Sequence, residues 1–226
     1  IESLACLLNA PVVATMAAAS CDGLPTFAGY VGSSGHFTSN QALGNADVVL
    51  MLGVSNRGFA FQLVGGSAQI IDINNDIEVL ACRSEVALSV QADCGSVVRG
   101  LLSRNVSSRD GNGQEVVKRQ DSWWLSNSGK TTLYGRLRPS YVVKTLGRAT
   151  QSRNDVVFTA DVGINTLWLL RYLRRHERTQ WTRNFATMGF GLPAAITRAE
   201  DTNLPTIAVI GDGGMGMSTT AFGLAK

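Results

Sequence analysis

Apolar residues along this chain gather into short runs separated by intervals rich in Gly, Asn and Ser. Pro11–Thr15 reads as a buried strand with proline allowed at its first position. Asp47–Gly53 is apolar on both faces and so reads as a parallel strand. Gln69–Ile73 and Val86–Val90 read as two more strands, and Asp155–Ala160 and Thr206–Ile210 as a further pair. Between them lie segments with helical signals. Ile1–Leu8 reads as the end of a helix. Thr38 or Ser39 is placed to cap a short helix that ends near Gly44. Arg138–Gly147 has proline in its first turn and glycine past its end. Asn165–Leu173 and Leu192–Ala199 read as helices, and a further helix begins at Thr219. Gly23-Leu-Pro25 marks a turn, and Gly29–Gly35 a Gly-rich loop.

This alternation predicts an α/β protein with two doubly wound, mostly parallel-sheet domains. The first is Rossmann-like and covers residues 1–104, and the second covers 137–226. Residues 105–136 are polar and read as an interdomain connection with one helical stretch, about Gln114–Leu125. Trp123 and Trp124 pin that stretch to a domain surface, because two adjacent tryptophans are costly to leave in water.

Composition narrows the class. The chain has 226 residues, 45% hydrophobic and 16% charged, with 24 glycines and a net charge of +3. Low charge and many glycines suit buried parallel strands. No Lys/Arg run exceeds two, so neither a nucleic-acid nor a membrane-surface role is supported. Arg171, Arg174, Arg175 and Arg178 read as a solvated helix end. Cys6, Cys21, Cys82 and Cys94 lack C-x-x-C spacing, which argues against zinc and for reduced thiols in a cytoplasmic setting. No stretch reaches the ~18 apolar residues of a membrane helix. His36 and His176, the two histidines, read as surface residues.

The chemistry concentrates at Thr206–Met217. An apolar strand runs into Gly211-Asp-Gly-Gly214, where open α/β sheets bind phosphate. Uncovered backbone N–H groups and a following helix favour an anion there. Asp212 is a carboxylate suited to a Mg²⁺ shared with a diphosphate. The same four residues also fit an Asp-Gly hairpin turn.

Upstream residues bear on that choice. Phe185-Ala-Thr-Met-Gly-Phe-Gly-Leu-Pro-Ala-Ala-Ile196 followed by Val209–Gly214 resembles the diphosphate-binding domain of thiamine-diphosphate enzymes, in the style of acetolactate synthase and pyruvate oxidase. Asp161-Val-Gly-Ile-Asn165 with Trp168 resembles that domain's opening strand and turn. Pro11–Thr15, Gly29–Gly35, Ala46–Gly53 and Ile71–Asn74 resemble the family's central domain, with Asn74 where an acidic residue usually stands.

The resemblance implies thiamine diphosphate with Mg²⁺, a pyruvate-like 2-oxo acid substrate, decarboxylation with carbon–carbon bond transfer, and a homo-oligomer. It assigns Asp212 to the metal. Gly211, Gly213, Gly214, Gly163, Ile164 and Asn165 fall to the diphosphate. Ala186 and Met188 fall to the pyrimidine, with Met188 before Gly189 wedging the cofactor into a bent shape. Some relatives bind FAD on the central domain, and the matching positions are Gly53, Asp72, Ile73, Asp93 and Cys94. The activating glutamate and a second metal ligand, an asparagine, are expected outside residues 1–226, so no catalytic residue is assigned and the chain alone is expected to be inactive. A non-catalytic nucleotide-binding or oligomerisation module derived from such an enzyme is the competing reading.

Overall fold

The computed structural model describes residues 1–33, 35–55, 61–82, 85–104, 111–126, 129–132, 134–173, 179–182 and 186–224. Arg174, Arg175, His176, Arg178 and Phe185 lie outside them, as does the end of the helix expected to run to Lys226. The chain divides into two compact units, Ile1–Trp123 and Trp124–Lys226.

In the first unit, α1 (Glu2–Leu8) leads to β1 (Val12–Ala14), and β2 (Phe27–Tyr30) pairs parallel with it. α2 (Phe37–Gly44) follows. Then β3 (Val48–Leu52), β4 (Gln69–Asn74) and β5 (Leu88–Gln91) form a parallel sheet in that order. α3 (Ile77–Ala81) and α4 (Cys94–Leu102) start on side-chain caps from Asp76 and Asp93. Such carboxylates satisfy amide donors that the first helical turn leaves open. Val31 and Leu43 are buried, with Val13, Val49, Leu63 and Val64 packed against them.

Strand β2 departs from the expected Gly29–Gly35 loop, whose first two residues it takes up. Gly29 sits inside it with φ 115°, and a Cβ there would stand 2.8 Å from His36 Nδ1. The glycine that reads as a loop signal is instead required by a close approach. His36 is correspondingly buried, not on the surface: it is 4% exposed, and its Nδ1 accepts from the Tyr30 amide at 3.0 Å. Its ring lies edge-on to Trp123, 5.7 Å between centroids. Helix α2 starts after His36, so Thr38 and Ser39 are not its cap. Both are buried in the helix: Ser39 Oγ donates to the Tyr30 carbonyl at 2.7 Å, and Thr38 Oγ1 to Gln120 Oε1.

Gln120 and Trp123 belong to α5 (Gly113–Ser126), within which the division between the units falls. In the second unit come α6 (Pro139–Ala149), β6 (Val157–Ala160), α7 (Ile164–Tyr172), β7 (Thr179–Trp181), α8 (Gly191–Thr202), β8 (Thr206–Val209) and α9 (Asp212–Ser218), the last continued by a 3₁₀ turn over Thr219–Leu224. Gly147 does not end α6, which runs on to Ala149. A Cβ at Gly147 would stand 3.4 Å from the Leu173 carbonyl, so this glycine lets another segment approach. The sheet is parallel in the order β7-β6-β8. Its central strand is buried at every residue, and the one polar side chain on it, Thr159, donates its hydroxyl to the Gly191 carbonyl at 2.9 Å. β7 was not legible in the sequence, and α9 begins seven residues before the expected helix start at Thr219. Both units are α/β with parallel sheets, the class read from the sequence.

Candidate functional site at three strand ends

Ala160, the last residue of β6, pairs with Trp181 of β7 and with Val209 of β8. All three strands therefore end level, and the segments that leave them start along one sheet edge. Those segments carry the second-unit residues singled out in the sequence. Such an edge, where carboxyl ends of parallel strands meet helix starts, is the usual ligand-binding edge of an open α/β sheet.

After β6 the chain runs through Asp161 and Val162 to Gly163, whose φ of 132° makes room for the entry into α7. Gly163 is exposed, and Ile164 is 71% exposed. Asn165 is drawn inward: its Nδ2 donates to the Asp161 carbonyl at 3.0 Å and to the Val209 carbonyl at 2.8 Å. The side chain thus braces β6 to β8. After β8, Gly211 precedes α9 with φ −77° and ψ 164°. Asp212 is exposed, and its Oδ1 accepts from the Gly213 amide at 2.9 Å.

Ahead of α8, Ala186 holds a left-handed φ of 46° and Gly189 one of 87°. Met188 is 47% exposed. A Cβ on Gly213 would stand 3.1 Å from Met188 Cε, and one on Gly189 would stand 3.3 Å from Met217 Cβ. The Met188–Gly189 and Gly211–Gly214 turns, far apart in sequence, are therefore neighbours.

The glycines of this edge are bare for different reasons. A Cβ on Gly214 would stand 2.0 Å from Asp161 Oδ2, and one on Gly191 would stand 2.9 Å from the Asp161 amide nitrogen. Close packing inside the chain demands both. A Cβ on Gly211 would meet nothing within 4 Å, and its dihedrals suit any residue. Among the described residues, nothing in the packing requires glycine at 211.

The first-unit residues divide. Gly53, Ile73 and Cys94 come together: the Gly53 amide donates to the Ile73 carbonyl at 2.9 Å, and Cys94 Sγ to the same oxygen at 3.3 Å. Burial pushes the Cys94 thiol above its usual value, with the Asp93 charge adding to the effect. Asp93 caps α4, and hydrogen bonds from the Ser96 hydroxyl and amide hold its carboxyl below the usual range. Asp72 lies in mid-strand, fully buried.

Sequence reasoning treated Asp161 only as the head of a motif. Its local signal is an acidic residue directly after a fully buried strand. A cavity of about 570 Å³ lies between β7 and α8, lined in part by Phe190, Pro193 and Ala194, and none of the residues assigned to the cofactor or metal lines it. Among the described residues, no cluster of three or more His, Cys, Asp or Glu is placed to hold a metal, and no helix is long and apolar enough to cross a membrane.

Comparison with known proteins places this geometry in a family. Residues 1–101 match the family described as "Thiamine pyrophosphate enzyme, central domain", and residues 161–226 match "Thiamine pyrophosphate enzyme, C-terminal TPP binding domain". The chain is 28% identical to YdaP of Bacillus subtilis (strain 168), over 92% of this chain and 37% of that protein. It is 27% identical to the acetolactate synthase large subunit of Lactococcus lactis subsp. lactis, over 87% of this chain and 35% of that protein. It is also 27% identical to the pyruvate oxidase of Lactiplantibacillus plantarum, over 96% and 37% respectively. The chain thus spans little more than a third of the length of these relatives. With two matching domains in the family's order, this chain belongs to the thiamine pyrophosphate enzymes.

Proposed function

We propose that the second unit binds thiamine diphosphate together with Mg²⁺ along the edge where β6, β7 and β8 end, in the service of 2-oxo acid decarboxylation and carbon–carbon bond transfer of the acetolactate synthase or pyruvate oxidase kind. The carrying observation is the meeting of two turns: Met188 Cε lies 3.1 Å from the place a Gly213 Cβ would take, beside the exposed Asp212 carboxylate.

The residues present fit the cofactor. Gly211 keeps open a space that no atom of the described residues fills and that its own backbone does not need. A phosphate oxygen approaching backbone N–H groups is a sufficient reason for a bare residue there. Exposed Met188, Met217 and Ile164 give apolar surface for ring systems at 47%, 65% and 71% exposure.

When bound, thiamine diphosphate supplies the nucleophilic carbon and the electron sink that decarboxylation needs. Asp212 offers a hard oxygen ligand to Mg²⁺. Gly211 and Gly213 let the backbone come close to the diphosphate. Gly163 and Ile164 present amides from the positive end of α7, which favours negative charge. Asn165 contributes through its backbone, since both described donations of its side chain go to carbonyls. Ala186 and Met188 offer backbone groups to the pyrimidine, and the Met188 side chain props the bend between the rings. Gly189 supplies the left-handed turn that presents Met188. Gly214 acts from beneath, by giving the Asp161 carboxylate room.

Titration calorimetry tests the reading. The chain takes up thiamine diphosphate in the presence of Mg²⁺, chelation of the metal removes the heat, and Asp212→Ala abolishes binding. Heats unchanged by Asp212→Ala sink the site. For FAD, the meeting of Gly53, Ile73 and Cys94 at strand ends of the first unit supports contact with an adenosine moiety there, with Asp93 at the start of α4. Asp72 is enclosed by the sheet and would act only through the strand. Flavin absorbance in the purified chain, or its appearance on adding FAD, decides that point.

A further inference from the structure

The Asp161 carboxylate is fully buried, although it stands at the edge assigned above to a charged cofactor. A buried carboxylate persists only when hydrogen bonds replace its water. Here Oδ1 accepts from the Val162 amide at 2.8 Å and from the Gly189 amide at 3.1 Å, and Oδ2 accepts from the Gly189 amide at 2.9 Å. Two glycines approach it closely. A Cβ on Gly214 would stand 2.0 Å from Oδ2 and 2.8 Å from Cγ, and one on Gly191 would stand 3.0 Å from Asp161 Cβ. One carboxylate is therefore wedged between the turn before α8 and the first turn of α9, and both turns give up side chains to admit it. The Asn165 carboxamide closes the remaining gap by joining the Asp161 carbonyl to the Val209 carbonyl.

The geometry points to Asp161 as a positioning residue: its buried carboxylate fixes the Met188–Gly189 turn against the Gly211–Gly214 turn and so sets the spacing between the pyrimidine and diphosphate ends of the site. This rests on the cofactor reading above. Asp161 does not touch the cofactor in this account. It acts by holding the Gly189 amide, one residue from Met188, at a fixed distance from the turn that carries Asp212.

Asp161→Asn keeps shape and volume but places an N–H donor where one carboxylate oxygen faces the Gly189 amide. The variant and the unaltered 226-residue chain are compared by amide hydrogen exchange and by calorimetry with two probes, thiamine diphosphate and inorganic pyrophosphate, each with excess Mg²⁺. In the unaltered chain without cofactor, the Gly189 amide is protected relative to the neighbouring exposed Thr187. In Asp161→Asn, the Gly189 amide exchanges at least about tenfold faster, while the β6–β8 amides keep their protection. Thiamine diphosphate binds about ten- to a hundredfold more weakly, as expected for losing a hydrogen bond to a charged group. Pyrophosphate, which has no pyrimidine to meet the Met188 turn, stays within about threefold.

Thiamine diphosphate affinity within about threefold of the unaltered chain overturns the proposal and leaves the cofactor reading standing. An equal loss for both probes also overturns it, since that marks a general structural defect. Should Asp161→Asn not fold, Gly189 exchange in the unaltered chain still decides: a Gly189 amide as fast as that of Thr187 shows that no such hold exists. No binding of thiamine diphosphate by the unaltered chain overturns the cofactor reading itself, and this proposal with it.

Discussion

Gly214 yields its Cβ position to the Asp161 carboxylate, since a methyl there would stand 2.0 Å from Oδ2. The contact is with a buried group on a rigid strand end, so neither side can withdraw cheaply. Gly214→Ala is therefore expected to cost about 1–3 kcal/mol, the range for overpacking a filled interior. The melting temperature of the second unit falls by several degrees, at about 4–8 °C per kcal/mol for a domain of this size. A thermal melt followed by circular dichroism checks it, and an unchanged melting temperature contradicts the packing described.

Gly211 makes the opposite prediction three residues earlier. Its dihedrals suit alanine and the space beside it is open. Gly211→Ala costs stability only through a poorer helix cap, within about 1 kcal/mol. If the open space belongs to a phosphate, the same methyl lowers thiamine diphosphate affinity by at least about tenfold, because backbone amides and anion are held apart. A folded variant with unchanged affinity shows that the space at 211 is not used.

Met188 separates packing from cofactor binding in another way. At 47% exposure its side chain is not core, so Met188→Ala leaves the melting temperature nearly unchanged. The bent cofactor loses its prop, and thiamine diphosphate affinity falls. Met188→Leu, close in volume and equally apolar, recovers most of that loss. Calorimetry on both variants checks the order Met, Leu, Ala. Alanine binding as well as methionine removes Met188 from the site.

Much of this edge was legible in the sequence because its signals are local. An apolar run ending in Gly-Asp-Gly-Gly fixes a strand, a turn and an exposed carboxylate within a few residues. What was not legible depends on partners distant in the chain. Gly29 reads as a loop residue until His36 is seen to occupy its Cβ position. His36 reads as a surface histidine until Tyr30 and Trp123 are seen around it. β7 covers three residues and owes its strand form to pairing with β6. The double role of the glycines was equally hidden: Gly211 and Gly214 look alike in a motif, and only the position of Asp161 tells them apart.

Lys144 is a second buried charge, at 4% exposure. Its Nζ donates to the Trp124 carbonyl and lies 4.5 Å from the Trp124 ring centroid and 5.1 Å from that of Tyr172. Lys144→Met keeps the apolar stem and removes the charge and the donor. Leaving that carbonyl without the donor costs about 1–3 kcal/mol, and the two lost cation–π contacts add to it. Relief of the ammonium's desolvation works in the other direction but does not outweigh three lost contacts at one site. The urea midpoint therefore falls, and tryptophan emission shifts as the charge leaves the indole. A variant as stable as the parent shows that desolvation cancels the contacts.

Tyr172 gives the neighbouring pH dependence. Burial pushes its phenol above the usual value, opposed in part by the Arg171 charge. A group whose folded value is raised contributes stability that is complete below its unfolded value, near 10, and is lost as pH rises through the folded value. The urea midpoint of the second unit should therefore decline at strongly alkaline pH. The parent's decline alone does not identify the group. Tyr172→Phe keeps the ring against Trp168 and Lys144 and removes the phenol. The difference in midpoint between parent and Tyr172→Phe then isolates the phenol: it stays constant below the unfolded value and shifts against the parent above it. A difference that does not move with pH removes Tyr172 as the source of the alkaline decline.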